Sequence, residues 1–143
     1  YLRNETEDNP AAIDYRDWHV PLGRRFRALK LWFVLRSYGA ENLRTFIRSH
    51  VTWAEELESK VINDSRLELA APRTLALVCF RHTDGNDATR KLADAINASG
   101  SAYVTPSVTD DVAYIRVSIG STWTEQRHVE DLWDLIDSNA GLK

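Results

Sequence analysis

Tyr15, Trp18 and His19 stand in a short segment, DYRDWHVPLG, that runs directly into a cluster of cations, Arg24, Arg25, Arg27 and Lys30. Each type carries its own chemistry. A phenol with an ordinary pKa near ~10 stays protonated at neutral pH and can hand over a proton when a loop closes on a substrate. An imidazole titrates near neutrality, and a guanidinium forks onto a carboxylate or another anion. The residues alone leave the bland alternatives open. Tyr15 reads equally as a packing tyrosine, His19 as a plain loop histidine, and Arg25 as half of a structural ion pair.

Elsewhere the familiar patterns are missing. The chain has no Gly-rich phosphate loop, no paired-cysteine motif, no HExxH and no GxSxG. His50 falls on an apolar helical seam and is expected to be a core or boundary residue. His82 and His128 are scattered. Glu55 with Glu56 and Asp110 with Asp111 read as solvated-face and turn carboxylates rather than acid–base pairs. The single cysteine, Cys79, lies in the apolar run LALVCF. It is expected to be a buried, reduced thiol, which fits a cytoplasmic setting.

The totals narrow the class. A chain of 143 residues suits one domain that buries roughly two-thirds of its unfolded surface. With 43% hydrophobic and 27% charged residues it is expected to be a soluble folded protein, not a disordered one. The net charge of −3 does not recruit nucleic acid or anionic membrane as a whole-molecule field. No apolar run approaches the ~20 residues that span a bilayer. The chain contains no Met, so it is expected to be either the downstream part of a longer polypeptide or a processed one.

The elements that would position these residues follow from periodicity. Residues 1–20 show none and are expected to form an exposed, mobile loop. Pro21 and Gly23 precede an expected helix from about Arg24 to Tyr38. There Phe26, Leu29 and Phe33 share one row, and Ala28, Trp32 and Leu35 an adjoining one. Apolar residues over more than half the circumference predict a helix clamped between other elements. Arg25 and Arg36 share the side of Leu29 and Trp32, so each is expected either to snorkel or to pair.

Gly39 ends that helix. Leu43, Ile47, His50, Ala54, Leu57 and Val61 then mark a second, longer one. RLELAAPRTLALVCFRH predicts two strands around a turn at Pro72. Asp87 is the expected cap of a helix carrying Leu92 and Ile96. AYVTPSV and DVAYIRVSI predict strands joined at Thr109, Asp110 and Asp111. Thr122 and Glu125 have capping-box spacing ahead of a last helix with Val129, Leu132, Trp133 and Ile136. The order predicts an α/β fold of the α+β kind: a small, mainly antiparallel sheet with helices on one face.

The stretch DYRDWHVPLGRRFRALKLWFVLRSYGAENLRTFIRSHV closely resembles the C-terminal part of the pyridoxal-phosphate-dependent (group II) aromatic L-amino-acid decarboxylases. The segments LALVCFRH and YIRVSIGSTWTE are similar to the strand regions that follow in that family. The resemblance implies the C-terminal part of an aspartate-aminotransferase-type (fold type I) enzyme acting as a homodimer. Residues 1–22 would be a mobile catalytic loop, 23–64 connecting helices, and 65–143 the small domain. The large cofactor-binding domain would lie outside this chain.

It further implies that Tyr15, in its DY–x–x–W context, protonates the substrate α-carbon after carbon dioxide leaves, reaching toward the active site of the opposite subunit. Arg25 and His19 are weaker candidates for substrate contact. Pyridoxal 5'-phosphate, whose ring accepts the electrons released on decarboxylation, would be held by the large domain. None of Lys30, Lys60, Lys91 and Lys143 has the family's lysine context, so this chain alone is expected to be inactive. The alternative is a noncatalytic interaction or anion-binding module using the Arg-rich helix.

Overall fold

The computed structural model describes residues 25–141. The helices are α1 (Arg27–Tyr38), α2 (Ala40–Asn63), α3 (Asn86–Ala98) and α4 (Gln126–Asn139). The strands are β1 (Leu67–Thr74), β2 (Leu77–His82), β3 (Thr105–Thr109) and β4 (Val112–Ser118). The chain divides into two compact units, Tyr1–Ala40 and Glu41–Lys143. The loop expected over residues 1–20 lies outside the described residues.

In the first unit, α1 begins at Arg27 rather than Arg24, with Phe26 at the N-cap and no side-chain cap. It stops where expected. Gly39 takes φ 75°, a left-handed conformation that glycine adopts without strain, and its amide donates to the Leu35 carbonyl at 3.0 Å. None of the residues of α1 is buried. Leu31, Trp32 and Phe33 are all more than half exposed. The clamping expected from the pattern is therefore not supplied by the described residues.

The second unit is built on a four-stranded, wholly antiparallel sheet of order β1-β2-β4-β3. Alternation decides its inner face. Val78, Phe80 and His82 of β2 and Ala113, Ile115 and Val117 of β4 are buried, and Phe80 pairs with Ile115 across the strands. Helix α3 packs on β2, β3 and β4, and α4 packs on α3. From these helices Leu92, Ile96, Leu132 and Ile136 join the core, and Ala54, Leu57 and Val61 of α2 complete it. The predicted small sheet with helices on one face is present. The buried α2 seam starts about two turns later than expected, since Leu43 is only partly buried, Ile47 is 57% exposed and burial begins at His50.

Three local expectations need correction. Pro72 lies within β1, and the turn falls at Leu75 and Ala76, with Leu75 at φ 51°. Because β1 is an edge strand, interrupted in register between Ala71 and Thr74, it tolerates a residue without an amide donor. Helix α3 is capped by Gly85 at φ 99°, which places Asp87 in the first turn, where its charge suits the helix dipole. Helix α4 is capped by Glu125 rather than Thr122, and the Glu125 amide donates to His128 Nδ1 at 3.1 Å. The β3–β4 turn is as expected. Asp110 and Asp111 both have positive φ, which a two-residue hairpin matched to strand twist demands and Asp tolerates.

Candidate functional site

Tyr15 and His19 lie outside the described residues. Arg25 is described: it is exposed just before α1, its carbonyl accepts from the Arg27 amide at 2.8 Å, and among the described residues no carboxylate pairs with it. Arg36 sits in the last turn of α1, where a cation suits the helix dipole. The cations of α1 are interleaved with exposed Leu29, Leu31, Trp32 and Leu35. A helix built only to hold an anion has no use for that apolar surface.

The polar clusters of the second unit are fasteners. Arg66 binds the Asp64 carboxylate, the Asp137 carboxylate and the Asp137 carbonyl (3.1 Å), tying the α2–β1 connection to the end of α4. The Arg66 guanidinium holds the Asp64 carboxyl below its ordinary pKa, and both carboxylates push Arg66 up. Arg73 of β1 reaches Glu58 at 2.8 Å and Glu55 at 3.0 Å on α2. His82 is buried. Its Nδ1 accepts from the Asp84 amide at 3.0 Å, so Nε2 carries the hydrogen and donates to the Ala140 carbonyl at 2.9 Å. Both ring nitrogens are occupied, which leaves His82 no free position for substrate. Sequence reading assigned it nothing, because its partners lie 2 and 58 residues away and no spacing announces them.

Cys79 departs from expectation. It faces away from the core, half-buried, because its neighbours Val78 and Phe80 take the inner face. Burial pushes its thiol pKa up, and the cross-strand Arg116 pulls the other way. A thiol held protonated is a poor nucleophile.

The described residues do not fit pyridoxal phosphate. Lys30 and Lys91 are exposed, and the Lys60 ammonium lies over the Trp133 ring, 5.6 Å from its centroid. A lysine that holds the cofactor needs an enclosed site with donors for a phosphate nearby. No group of His, Cys, Asp and Glu that could hold a metal ion occurs among the described residues either.

A small four-stranded antiparallel sheet with its helices, preceded by two helices, is the architecture of the C-terminal portion of fold type I pyridoxal-phosphate decarboxylases. Comparison with known proteins then gives the family. Residues 1–83 match the pyridoxal-dependent decarboxylase conserved domain. The chain is 43% identical to a phenylacetaldehyde synthase of Rosa hybrid cultivar over 98% of its own length and 30% of that protein's. It is 42% identical to tyrosine/DOPA decarboxylase 1 of Papaver somniferum, covering 97% of itself and 30% of the relative. Among solved structures it superposes on Catharanthus roseus tryptophan decarboxylase in complex with L-tryptophan. The TM-score is 0.77 with 40% identity, over 90% of this chain and 29% of that one. The chain belongs to the pyridoxal-dependent decarboxylase family and spans about 30% of the length of the curated relatives it matches.

Proposed function

We propose that this chain is the C-terminal part of an enzyme that converts an aromatic L-amino acid to the corresponding amine and carbon dioxide. Pyridoxal phosphate is held by a large domain outside the chain. Residues 1–22 form the catalytic loop, 23–64 the connecting helices and 65–143 the small domain. Tyr15 delivers the proton to the substrate α-carbon once carbon dioxide has left. Its phenol, protonated at neutral pH, suits a donor brought up by a closing loop. Arg25 and His19 stand at the edge of the same site as substrate contacts. The protein works as a homodimer in which each loop serves the opposite subunit. The exposed apolar rows of α1 support this reading, because they suit burial against the large domain and the second subunit.

The observation that carries the proposal is near-complete coverage by relatives named for reactions on aromatic substrates, combined with a tyrosine at position 15. Overall identity does not separate an amine-forming from an aldehyde-forming enzyme, since a synthase and a decarboxylase match at 43% and 42%. The decisive experiment is Tyr15→Phe in the full-length protein, with amine and aldehyde both quantified from tyrosine, dopa and tryptophan. Amine formation is expected to fall by about 10²–10⁴-fold, the usual weight of a positioned proton donor. The product balance is expected to move toward aldehyde with uptake of oxygen. An unchanged amine yield removes Tyr15 from the reaction. Failure of the wild-type protein on all three amino acids removes the aromatic assignment.

A further inference from the structure

The two ends of the four-stranded sheet are finished in opposite ways. At one end stand the α2–β1 connection (64–66), the β2–α3 connection (83–85) and the β3–β4 turn (110–111). Each carries a carboxylate, and hydrogen bonds staple all three. Arg66 joins Asp64 to Asp137, the Asp84 amide donates to His82, and Asn86 donates to the Asp111 carbonyl at 2.7 Å. At the other end stand the β1–β2 turn (75–76), the α3–β3 connection (99–104) and the β4–α4 connection (119–125). These lie side by side. The Ile119 amide donates to the Ala76 carbonyl at 2.9 Å, Leu77 pairs with Ser118, and Thr105 pairs with Arg116.

The three connections of this second end contain no charged residue but Glu125, which pairs with Arg127 at the start of α4. They also hold the three most exposed large apolar side chains described in the second unit: Trp123 at 85%, Tyr103 at 81% and Leu75 at 71%. One comes from each connection. A single exposed apolar residue needs no explanation, but three on neighbouring uncharged loops mark a contact surface. Aromatic side chains with charge excluded are what the desolvated centre of a protein contact is made of. The Tyr103 loop is also held firmly, since the Asn97 side chain binds both the Val104 amide (2.7 Å) and the Val104 carbonyl (3.1 Å). A surface fixed in advance loses little freedom on docking.

We propose that this neutral end is where the large cofactor-binding domain of the same subunit docks, with Trp123, Tyr103 and Leu75 as anchors. The inference rests on the family reading above, in which that domain lies upstream of the present chain. The path of the chain selects this occupant. Arg73, near the end of β1, reaches Glu58 and Glu55, and Gln126, at the start of α4, reaches Glu56 at 3.4 Å. Helix α2 therefore runs from the neutral end to the Asp64–Arg66 junction, and its earlier turns, back to Glu41, extend beyond the sheet. Whatever precedes the second unit is delivered at the neutral end. The chain spans about 30% of its relatives' length, so the body delivered there is large.

Hydroxyl-radical footprinting of the full-length protein tests the surface, with oxidation rates taken relative to the same protein unfolded in guanidinium. Trp123 and Tyr103 are expected to be protected several-fold more strongly than Ile62 and Val108. Those two are less exposed in the second unit, at 62% and 56%, but lie away from the neutral end. A benzophenone photocrosslinker placed at position 103, or at 123 should the first protein not fold, tests the occupant. It is expected to capture the large domain within one subunit. Protection no greater than at Ile62 and Val108 overturns the proposal. So does capture of a second subunit, capture of residues 1–24, or no capture at all. Neither readout needs turnover, so failure of the Tyr15 or aromatic assignment leaves this result standing, and the reverse also holds.

Discussion

Helices α1 and α2 are separated by a single residue, Gly39, yet their fates in this chain are opposite. α1 is the more apolar of the two, carrying Leu29, Leu31, Trp32, Phe33, Val34 and Leu35 in seven residues, and none of it is buried. α2 is longer and more polar, yet His50, Ala54, Leu57 and Val61 are buried. Apolar content therefore does not say which helix enters the core. The difference lies in what faces each one. α2 finds the sheet and its helices within the same unit, whereas α1 carries apolar surface whose counterpart is not among the described residues. On the function proposed above, such a surface is where the large domain and the second subunit would be held; the chain spans about 30% of its relatives' length.

The sharpest way to break this comparison is to truncate side chains in both regions. Phe80→Ala, at a fully buried position of β2, is expected to lower the unfolding free energy by about 3–5 kcal/mol, measured by denaturant titration of the chain. Leu57→Ala on α2 belongs to the same class, at about 2–5 kcal/mol. A loss under about 1 kcal/mol at either position would mean the core is not where the burial puts it.

Asp64→Asn comes next, at about 1–2 kcal/mol, because the change removes a charge-assisted pair whose arginine is partly solvated. Its pH signature has a definite sign. The Asp64 carboxyl sits below its ordinary 3.8, so its contribution is present above that value and disappears as pH falls through the lower, folded one. Stability curves of wild type and Asp64→Asn should converge in strong acid, and parallel curves would remove the ion pair as the cause.

The smallest expected effect is the most informative. Trp32→Ser on α1 should change the stability of the isolated chain by no more than about 0.5 kcal/mol. In the full-length protein the same substitution should lower the melting temperature clearly. Equal effects in both settings would mean that α1 does not serve as a contact for the rest of the protein.

Much of the second unit was legible in the residues. The order of strand-like and helix-like segments points to a small antiparallel sheet with helices on one face, and the spacing of His50, Ala54, Leu57 and Val61 to a buried helix stripe. The errors cluster at element ends. Pro72 suggests a turn, although on an edge strand it continues the strand. Residue types point to Asp87 and Thr122 as caps, although Gly85 and Glu125 hold those positions. Capping depends on the backbone angles of one residue, which neighbouring turns set and no pattern of types reveals. The candidate site divides in the same way. Tyr15, singled out by its context in a long family-like stretch, lies outside the described residues, and the engagement of both His82 nitrogens and the orphaned Nε2 of His50 have no counterpart in spacing.

What the sequence determined by itself is everything that rests on short-range repetition: the periods of helices and strands, the stop at Gly39, the positive-φ turn at Asp110 and Asp111, and the family that the N-terminal stretch resembles. Only the tertiary structure decided which apolar surface is covered. It alone brought Arg66 to Asp137 and His82 to Ala140, and it turned Cys79 away from the core. The physical reason is that periodicity is written along the chain. Burial and hydrogen-bond partnership are relations between surfaces that meet only after the chain has folded.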